Sequence, residues 1–336
     1  MAEEDVVLIT QLPADSWFEG FAVRPDGTII AARIDKAELY TVIPDEETPH
    51  LLYTFADEHN CVTNIGPIPG FDDEYIVLVS LANLEIVSQK DLWLYRLTVT
   101  GAGRDAVPTL KRLVEVTVQG YCLGVVPISD RVVLIPDAGN ACIWRVDTVT
   151  GEKGIFAADE SMKVVGEGAF FGINRIKVVD NYLYYTNTSS GSIGRIPVVT
   201  ETEPQEVGIR TTGPVEIVIK DLPRHLEGLA VSSDQTHAYV ASHLDGHLHK
   251  VTIDPATGKG TSQMILSSLD KPTGLNIAPS PGNPDKSTLY IICCGEIQVA
   301  WMIADKEDPW KAFRDLNDTT QYTVTQEVTE TEQRLI

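Results

Sequence analysis

Helix signals are almost absent from this chain of 336 residues; the one short candidate is Asp308-Pro309-Trp310-Lys311-Ala312-Phe313. No stretch approaches the ~20 consecutive apolar residues that cross a bilayer as a helix. Positive charge is scarce: 26 Lys and Arg stand against 48 Asp and Glu, a formal net charge of −22. A surface this acidic repels phosphate backbones and anionic lipid, so nucleic acid and membrane are poor partners, and the plain use of the charge is solubility. The five cysteines, Cys61, Cys122, Cys142, Cys293 and Cys294, are odd in number, irregular in spacing and without zinc-ligand pairs; they read as buried free thiols. The opening Met-Ala-Glu-Glu-Asp has no basic n-region and no apolar h-region, so no signal peptide is read here. As written the chain is cytoplasmic, with a secretory route open if a leader was removed. G-x-S-x-G, H-E-x-x-H, P-loop and G-x-G-x-x-G signatures are missing, so serine hydrolase, zincin, NTPase and dehydrogenase readings have no support.

What the chain does have is self-similarity. One unit reads as a short Gly-led apolar strand, a turn, a second apolar strand, a small polar turn and a third strand. Phe18-Glu19-Gly20-Phe21-Ala22-Val23 opens the first copy, followed by the turn Arg24-Pro25-Asp26-Gly27. Later copies open near Asn64, Cys122, Ile173, Leu226 and Pro272. A period of ~40–50 residues built from four strands is that of a propeller blade. Outer strands are expected between units at Leu51 to Phe55, Lys111 to Val118, Val215 to Lys220 and Met264 to Leu269, with insertions at Leu84 to Lys90 and Glu201 to Thr212. Val6 to Leu12 has outer-strand character but no preceding unit; it is expected to complete the last blade and remove an open sheet edge. The fold expectation is all-β: a six-bladed β-propeller over residues 1–303, closed by the N-terminal strand, with a C-terminal tail over 304–336.

In such a ring the residue before each opening Gly falls at one mouth of the central channel. Those six positions are Glu19, Ile65, Leu123, Asn174, Glu227 and Thr273. Two carboxylates and a carboxamide from different units converge there, and oxygen donors of this kind suit a hard cation such as Ca²⁺. Hydrogen bonding to neighbouring strand ends accounts for such residues equally well, so ligand pocket and structure both stand. Turns after second strands present Asp35, Asp137, Asn187 and His243, and the aromatics near the openings are Trp17, Phe18, Tyr121, Phe170 and Phe171. Apolar walls with a few convergent polar groups are the usual design of a small-molecule site. His243 titrates near neutral pH, although an exposed turn histidine is the simpler reading of it alone. Arg175 fills the fourth unit's Gly slot, to bind an anionic or carbonyl oxygen or to pair with Glu227.

These pieces resemble the senescence marker protein/gluconolactonase and diisopropylfluorophosphatase propellers of the calcium-dependent phosphotriesterase superfamily. The likeness lies in Glu19-Gly20, in Asn174 within Gly172-Ile173-Asn174-Arg175-Ile176, and in Glu227-Gly228. It implies that Glu19, Asn174 and Glu227 would be the metal ligands, if a metal is bound. Leu123, where that family has a further Asn ligand, cannot ligate through its side chain, so no firmly bound metal is expected. Tyr182-Leu183-Tyr184-Tyr185-Thr186-Asn187 with Gly194-Arg195-Ile196-Pro197, and Lys271-Pro272-Thr273-Gly274 with Leu289-Tyr290, resemble a fungal biosynthetic branch. That branch includes hetero-Diels–Alderases that join a tropolone-derived o-quinone methide to a sesquiterpene alkene such as a humulene.

The resemblance implies a metal-independent cycloaddition of small apolar substrates, with no cofactor. Asn174, Arg175, His243 and Tyr121 would be the hydrogen-bond donors to the quinone-methide oxygen. Glu19, Trp17, Phe18, Leu123, Phe171, Asn187, Glu227 and Thr273 would line the substrate pocket. The alternative is a Ca²⁺-dependent lactonase or phosphotriesterase; the third reading is a non-catalytic binding propeller.

Overall fold

The computed structural model describes residues 6–11, 16–44, 46, 48–56, 58–84, 87–117, 120–201, 208–280, 283–294 and 296–301. The expected tail over 304–336 and the helix candidate Asp308 to Phe313 lie outside these residues. The described residues form an all-β propeller arrangement whose strands make six antiparallel sheets. The first sheet runs Phe18–Val23, Ile29–Arg33, Glu38–Val42, His50–Thr54, and the second Cys61–Pro67, Glu74–Asn83, Ser88–Thr100, Val107–Val116. The third runs Val126–Pro127, Val132–Asp137, Cys142–Asp147, Lys153–Ala158. In the fourth, Ile173–Val179, Tyr182–Asn187 and Ser192–Glu201 follow in order, and both Gly208–Thr211 and Glu216–Ile219 pair with the last. The fifth is Leu226–Val231, His237–Ser242, His247–Ile253, Gly260–Leu266. In the sixth, Pro272–Ser280, Asn283–Cys293 and Glu296–Trp301 are completed by Val6–Gln11, which pairs with Glu296–Trp301 in the register Val6 to Ala300 and Gln11 to Glu296.

Each sheet is apolar on both faces because each is sandwiched between two others. The buried side chains fall into clusters at successive junctions. Leu39 and Val77 join the first and second sheets, Ile76 and Val133 the second and third, and Leu134 and Ile176 the third and fourth. Tyr184 and Val240 join the fourth and fifth, Tyr239 and Ile291 the fifth and sixth, and Tyr290 and Phe21 return from the sixth to the first. The first strand of each sheet also packs on the first strand of the next, and Pro272–Ser280 on Phe18–Val23. Burial at about 25 cal/mol per Å² of apolar surface is thus spread over all the junctions rather than concentrated in one centre.

Five first strands bulge at the same place: between Phe18 and Gly20, Val62 and Asn64, Ile173 and Ile176, Leu226 and Leu229, and Pro272 and Gly274. A bulge leaves a residue out of the ladder and re-aims its neighbours. In four sheets it falls at the expected ring position; in the second it falls at Thr63, and Ile65, expected there from its place before Gly66, packs instead in the core between the first and second sheets. The third sheet departs from expectation. Its first strand is only Val126–Pro127, and Cys122 makes an isolated bridge to Asp137 instead of starting a strand. The cause is Gln89 of the second sheet, whose amide accepts from Cys122 N at 2.8 Å and donates to Cys122 O at 3.3 Å. Backbone groups that would have entered a ladder are held by a side chain instead.

Candidate functional site

Glu19, Asn174 and Glu227 come together at one mouth of the channel. Asn174 is fully buried; its Nδ2 donates to Glu227 Oε2 at 2.8 Å and to Thr188 Oγ1 at 2.8 Å, and its Oδ1 has no partner. Glu19 is 3% exposed and held from two sides. Trp17 Nε1 donates to its Oε2 at 3.0 Å, and Arg175 Nη2 donates to its Oε1. Of the two options for Arg175, pairing with Glu227 is therefore not the one taken. The guanidinium pairs with Glu19 and also donates to the backbone carbonyls of Leu123, Glu19 (3.2 Å) and Thr273 (3.3 Å). It joins the first, third and sixth sheets to the fourth.

Four other units carry Gly in the Arg175 slot, while the second sheet has Asn64 there, its Nδ2 donating to the Leu123 carbonyl at 3.2 Å. A Cβ at Gly228 would stand 2.7 Å from Leu275, and one at Gly274 2.7 Å from Ile292 and 3.0 Å from the Glu19 carbonyl. Four glycines bring the inner strands close, and Arg175 fills the axis they leave beside Asn64.

Around this polar floor stand apolar walls. Tyr121, Leu123 and Ala138 form a cluster with Val87 and Phe171, and the Tyr121 and Phe171 rings lie 5.3 Å apart. Opposite, His243 stacks on Trp17 at 5.8 Å between centroids and 13° between planes, while Trp17 N is fixed by Asp35 Oδ1 at 2.9 Å. Phe170 and Leu244, the chain neighbours of Phe171 and His243, are exposed.

Besides Ile65, two predicted residues do not line the mouth. Phe18 is fully buried against Tyr40 in the junction of the first and sixth sheets, because successive strand residues point to opposite faces and Glu19 takes the mouth. Asn187 has its whole amide committed: Nδ2 to the Ser161 and Lys163 carbonyls, Oδ1 to Ser189 and Ser190. It is a loop anchor. The Thr273 hydroxyl is likewise held by the Phe18 carbonyl at 2.6 Å, so it is the Thr273 backbone that faces Arg175. Burial lowers the His243 pKa, which favours the neutral ring with its single N–H.

Other groups at the mouth were not singled out in the sequence. Thr188 bridges Asn174 to the Leu226 carbonyl at 2.7 Å. Lys177 sits two residues beyond Arg175 on the same strand, so the period-2 rule puts both on one face; burial and Arg175 push its amine down to about 8. Cys294 lies within electrostatic range of both carboxylates and is pushed up to about 12 by burial, so it is a thiol rather than a nucleophilic thiolate.

Burial pushes the Glu227 carboxyl up to about 8, with the Glu19 charge adding to the effect and Arg175 and Asn174 opposing it. Burial also raises Glu19, against Arg175 and Trp17. A single arginine faces two carboxylates, and its contact is with Glu19. Below the ordinary value of 4.5 Glu227 is protonated folded or unfolded; above it the unfolded chain ionises while the folded chain keeps the proton. Stability therefore declines as pH rises from about 4.5 through about 8. Glu227→Gln is expected to flatten that decline, measured as urea midpoints at about pH 5 and about pH 8.

The mouth does not fit a resident metal ion. The carboxylate of Glu19 and the carbonyls of Leu123 and Thr273 are already bonded to a guanidinium, and Leu123 offers no side-chain donor.

No protein-family model matches the chain. It is 25% identical over 284 residues to a provisionally assigned hetero-Diels–Alderase of Sarocladium schorii, covering 75% of this chain and 69% of that one. A second such protein, from a Phoma species, is 26% identical over 313 residues, or 84% of this chain and 85% of that one. Among solved structures, virginiamycin B lyase of Staphylococcus aureus superposes with a TM-score of 0.56 at 13% identity, over 89% of this chain and 99% of that one. At that identity the likeness is one of fold.

Proposed function

We propose that the chain is a pericyclase-type enzyme catalysing a metal-independent hetero-Diels–Alder cycloaddition of small, mostly apolar substrates at this mouth. The substrate class would be an o-quinone methide, such as one derived from a tropolone, with a humulene-type sesquiterpene alkene. We read the six sheets as six blades of one ring closed by Val6–Gln11, of the gluconolactonase-like kind. The observation that carries the functional reading is a polar floor whose Glu19 charge is neutralised internally, under walls built from Tyr121, Leu123, Phe171 and Trp17. Two distant relatives bearing the hetero-Diels–Alderase name support it.

The chemistry asks little of the protein beyond geometry. The cycloaddition forms one C–C and one C–O bond with no net proton transfer, so holding two partners in one orientation supplies much of the barrier reduction. The Tyr121 hydroxyl, which burial keeps protonated, and the Arg175 Nε–H, which has no partner, are the donors at hand for the oxygen that gains electron density; both Asn174 N–H groups are committed to Thr188 and Glu227. The test incubates the protein with a hydroxymethyl tropolone and a humulene-type alcohol, with and without EDTA. Chelator-insensitive product formation is expected. Tyr121→Phe is expected to slow it by roughly 10- to 100-fold, the loss of one hydrogen bond to a developing charge. Product formed no faster than in buffer, together with EDTA-sensitive lactone cleavage, would replace this reading with the hydrolase.

A further inference from the structure

We infer that Lys177 and the inner-strand ring at its level form a binding site for a small monovalent anion such as chloride, in the channel one step below the Arg175 floor. The inference holds whichever reaction the mouth performs. Arg175 stands in the slot that Gly20, Asn64, Gly124, Gly228 and Gly274 fill in the other sheets. Two residues further along each first strand, on the same face, come Ala22, Gly66, Val126, Lys177, Ala230 and Asn276. The register agrees: Ala22 pairs with Ile30, Lys177 with Tyr184 and Asn276 with Tyr290, equivalent positions of the second strands. Adjacent first strands pack on one another, so these positions make one ring. Lys177 carries its only charge.

That charge is unmatched. Lys177 is half-buried, and its ammonium makes no hydrogen bond or ion pair with any of the described residues. Exposed lysines of the chain do better: Lys163 meets Glu160 at 2.6 Å and Lys259 the Ile217 carbonyl at 2.7 Å. An ammonium has three N–H donors and no acceptor, and taking it out of water is costly unless it is paired. Burial and the neighbouring Arg175 charge both disfavour the protonated amine, and no carboxylate acts on it. An anion beside Lys177 offsets both effects, and one unmatched positive charge calls for a monovalent ion. Asn276, half-buried and also without a side-chain partner among the described residues, offers an amide N–H from the sixth sheet. The net charge of −22 repels anions from the chain as a whole, so the site is selective by position and weak in affinity.

The experiment melts the full-length wild type, Lys177→Met and Lys177→Gln in sodium chloride and in sodium gluconate of equal ionic strength, so that general screening cancels. Exchanging bulky gluconate for chloride at ~20 times the chloride Kd is expected to raise the wild-type melting temperature by roughly 3 °C more than that of either variant. The chlorine NMR line is read in parallel. The wild type should broaden it saturably, with bromide competing, and both variants should lose most of that excess width. Wild-type crystals soaked in bromide decide the matter even if neither variant accumulates folded: one ion is expected within hydrogen-bond reach of Lys177 Nζ. Equal salt responses in all three proteins overturn the inference. So does line broadening that survives loss of the amine, or bromide found only on the outer surface.

Discussion

Arg175→Met is expected to cost about 3–5 kcal/mol of folding stability, the range for removing one partner of a buried ion pair. The substitution keeps most of the side-chain volume, so the loss is electrostatic rather than a cavity. It leaves the Glu19 carboxylate, 3% exposed, with only the Trp17 indole N–H. It also strips the Leu123, Glu19 and Thr273 carbonyls of a donor, although Leu123 keeps Asn64 Nδ2 at 3.2 Å. Glu19→Gln should cost less, because the guanidinium keeps its three carbonyls. The double variant Arg175→Met/Glu19→Gln is expected to be more stable than Arg175→Met alone, since no unpaired charge remains buried. Urea titrations of the four proteins close the cycle. Additive losses would mean that the pair contributes no coupling.

Deleting residues 1–11 is expected to abolish cooperative folding. Val6–Gln11 pairs along Glu296–Trp301, Ile9 packs on the cluster of Phe18, Phe21 and Tyr290, and Thr10 is buried. Losing ~5 ladder hydrogen bonds at ~1 kcal/mol each removes about 5 kcal/mol before any apolar burial is counted. That is comparable with the whole stability of a typical domain. The uncovered edge of Glu296–Trp301 would also invite pairing with a second chain. The shortened protein should appear in the aggregate fraction of a sizing column, and adding the missing peptide in trans should recover part of the monomer. A monomeric deletion with a sharp thermal transition would show that the strand is dispensable.

The repeat was legible because each unit writes its inner strand with a Gly and its second strand with a run of apolar residues. Four first strands begin within a residue of their expected openings, at Phe18, Ile173, Leu226 and Pro272. The second begins earlier, at Cys61, and the third opens later because Gln89, from another unit, captures the Cys122 backbone. No local pattern encodes a partner 33 residues away. The convergence of Glu19, Asn174 and Glu227 followed from their shared repeat position. Phe18 was misplaced for a reason that was available: it adjoins Glu19, and strand neighbours face opposite ways. The true partners of Arg175 were not available, since three of them are carbonyls, which every residue has and no sequence distinguishes.

Four glycines, Asn64 and one arginine make the channel mouth a wheel with a hub. Arg175 is a spoke to three other sheets at once, so an outward displacement of any one of them is resisted through the same guanidinium. The floor therefore cannot dilate to admit a larger guest. Accommodation has to come from the rim, where Phe170 and Leu244 stand free in solvent. The division sets what variation can achieve: changes at the rim would widen or narrow the range of guests, while the face presented to them from below stays the same.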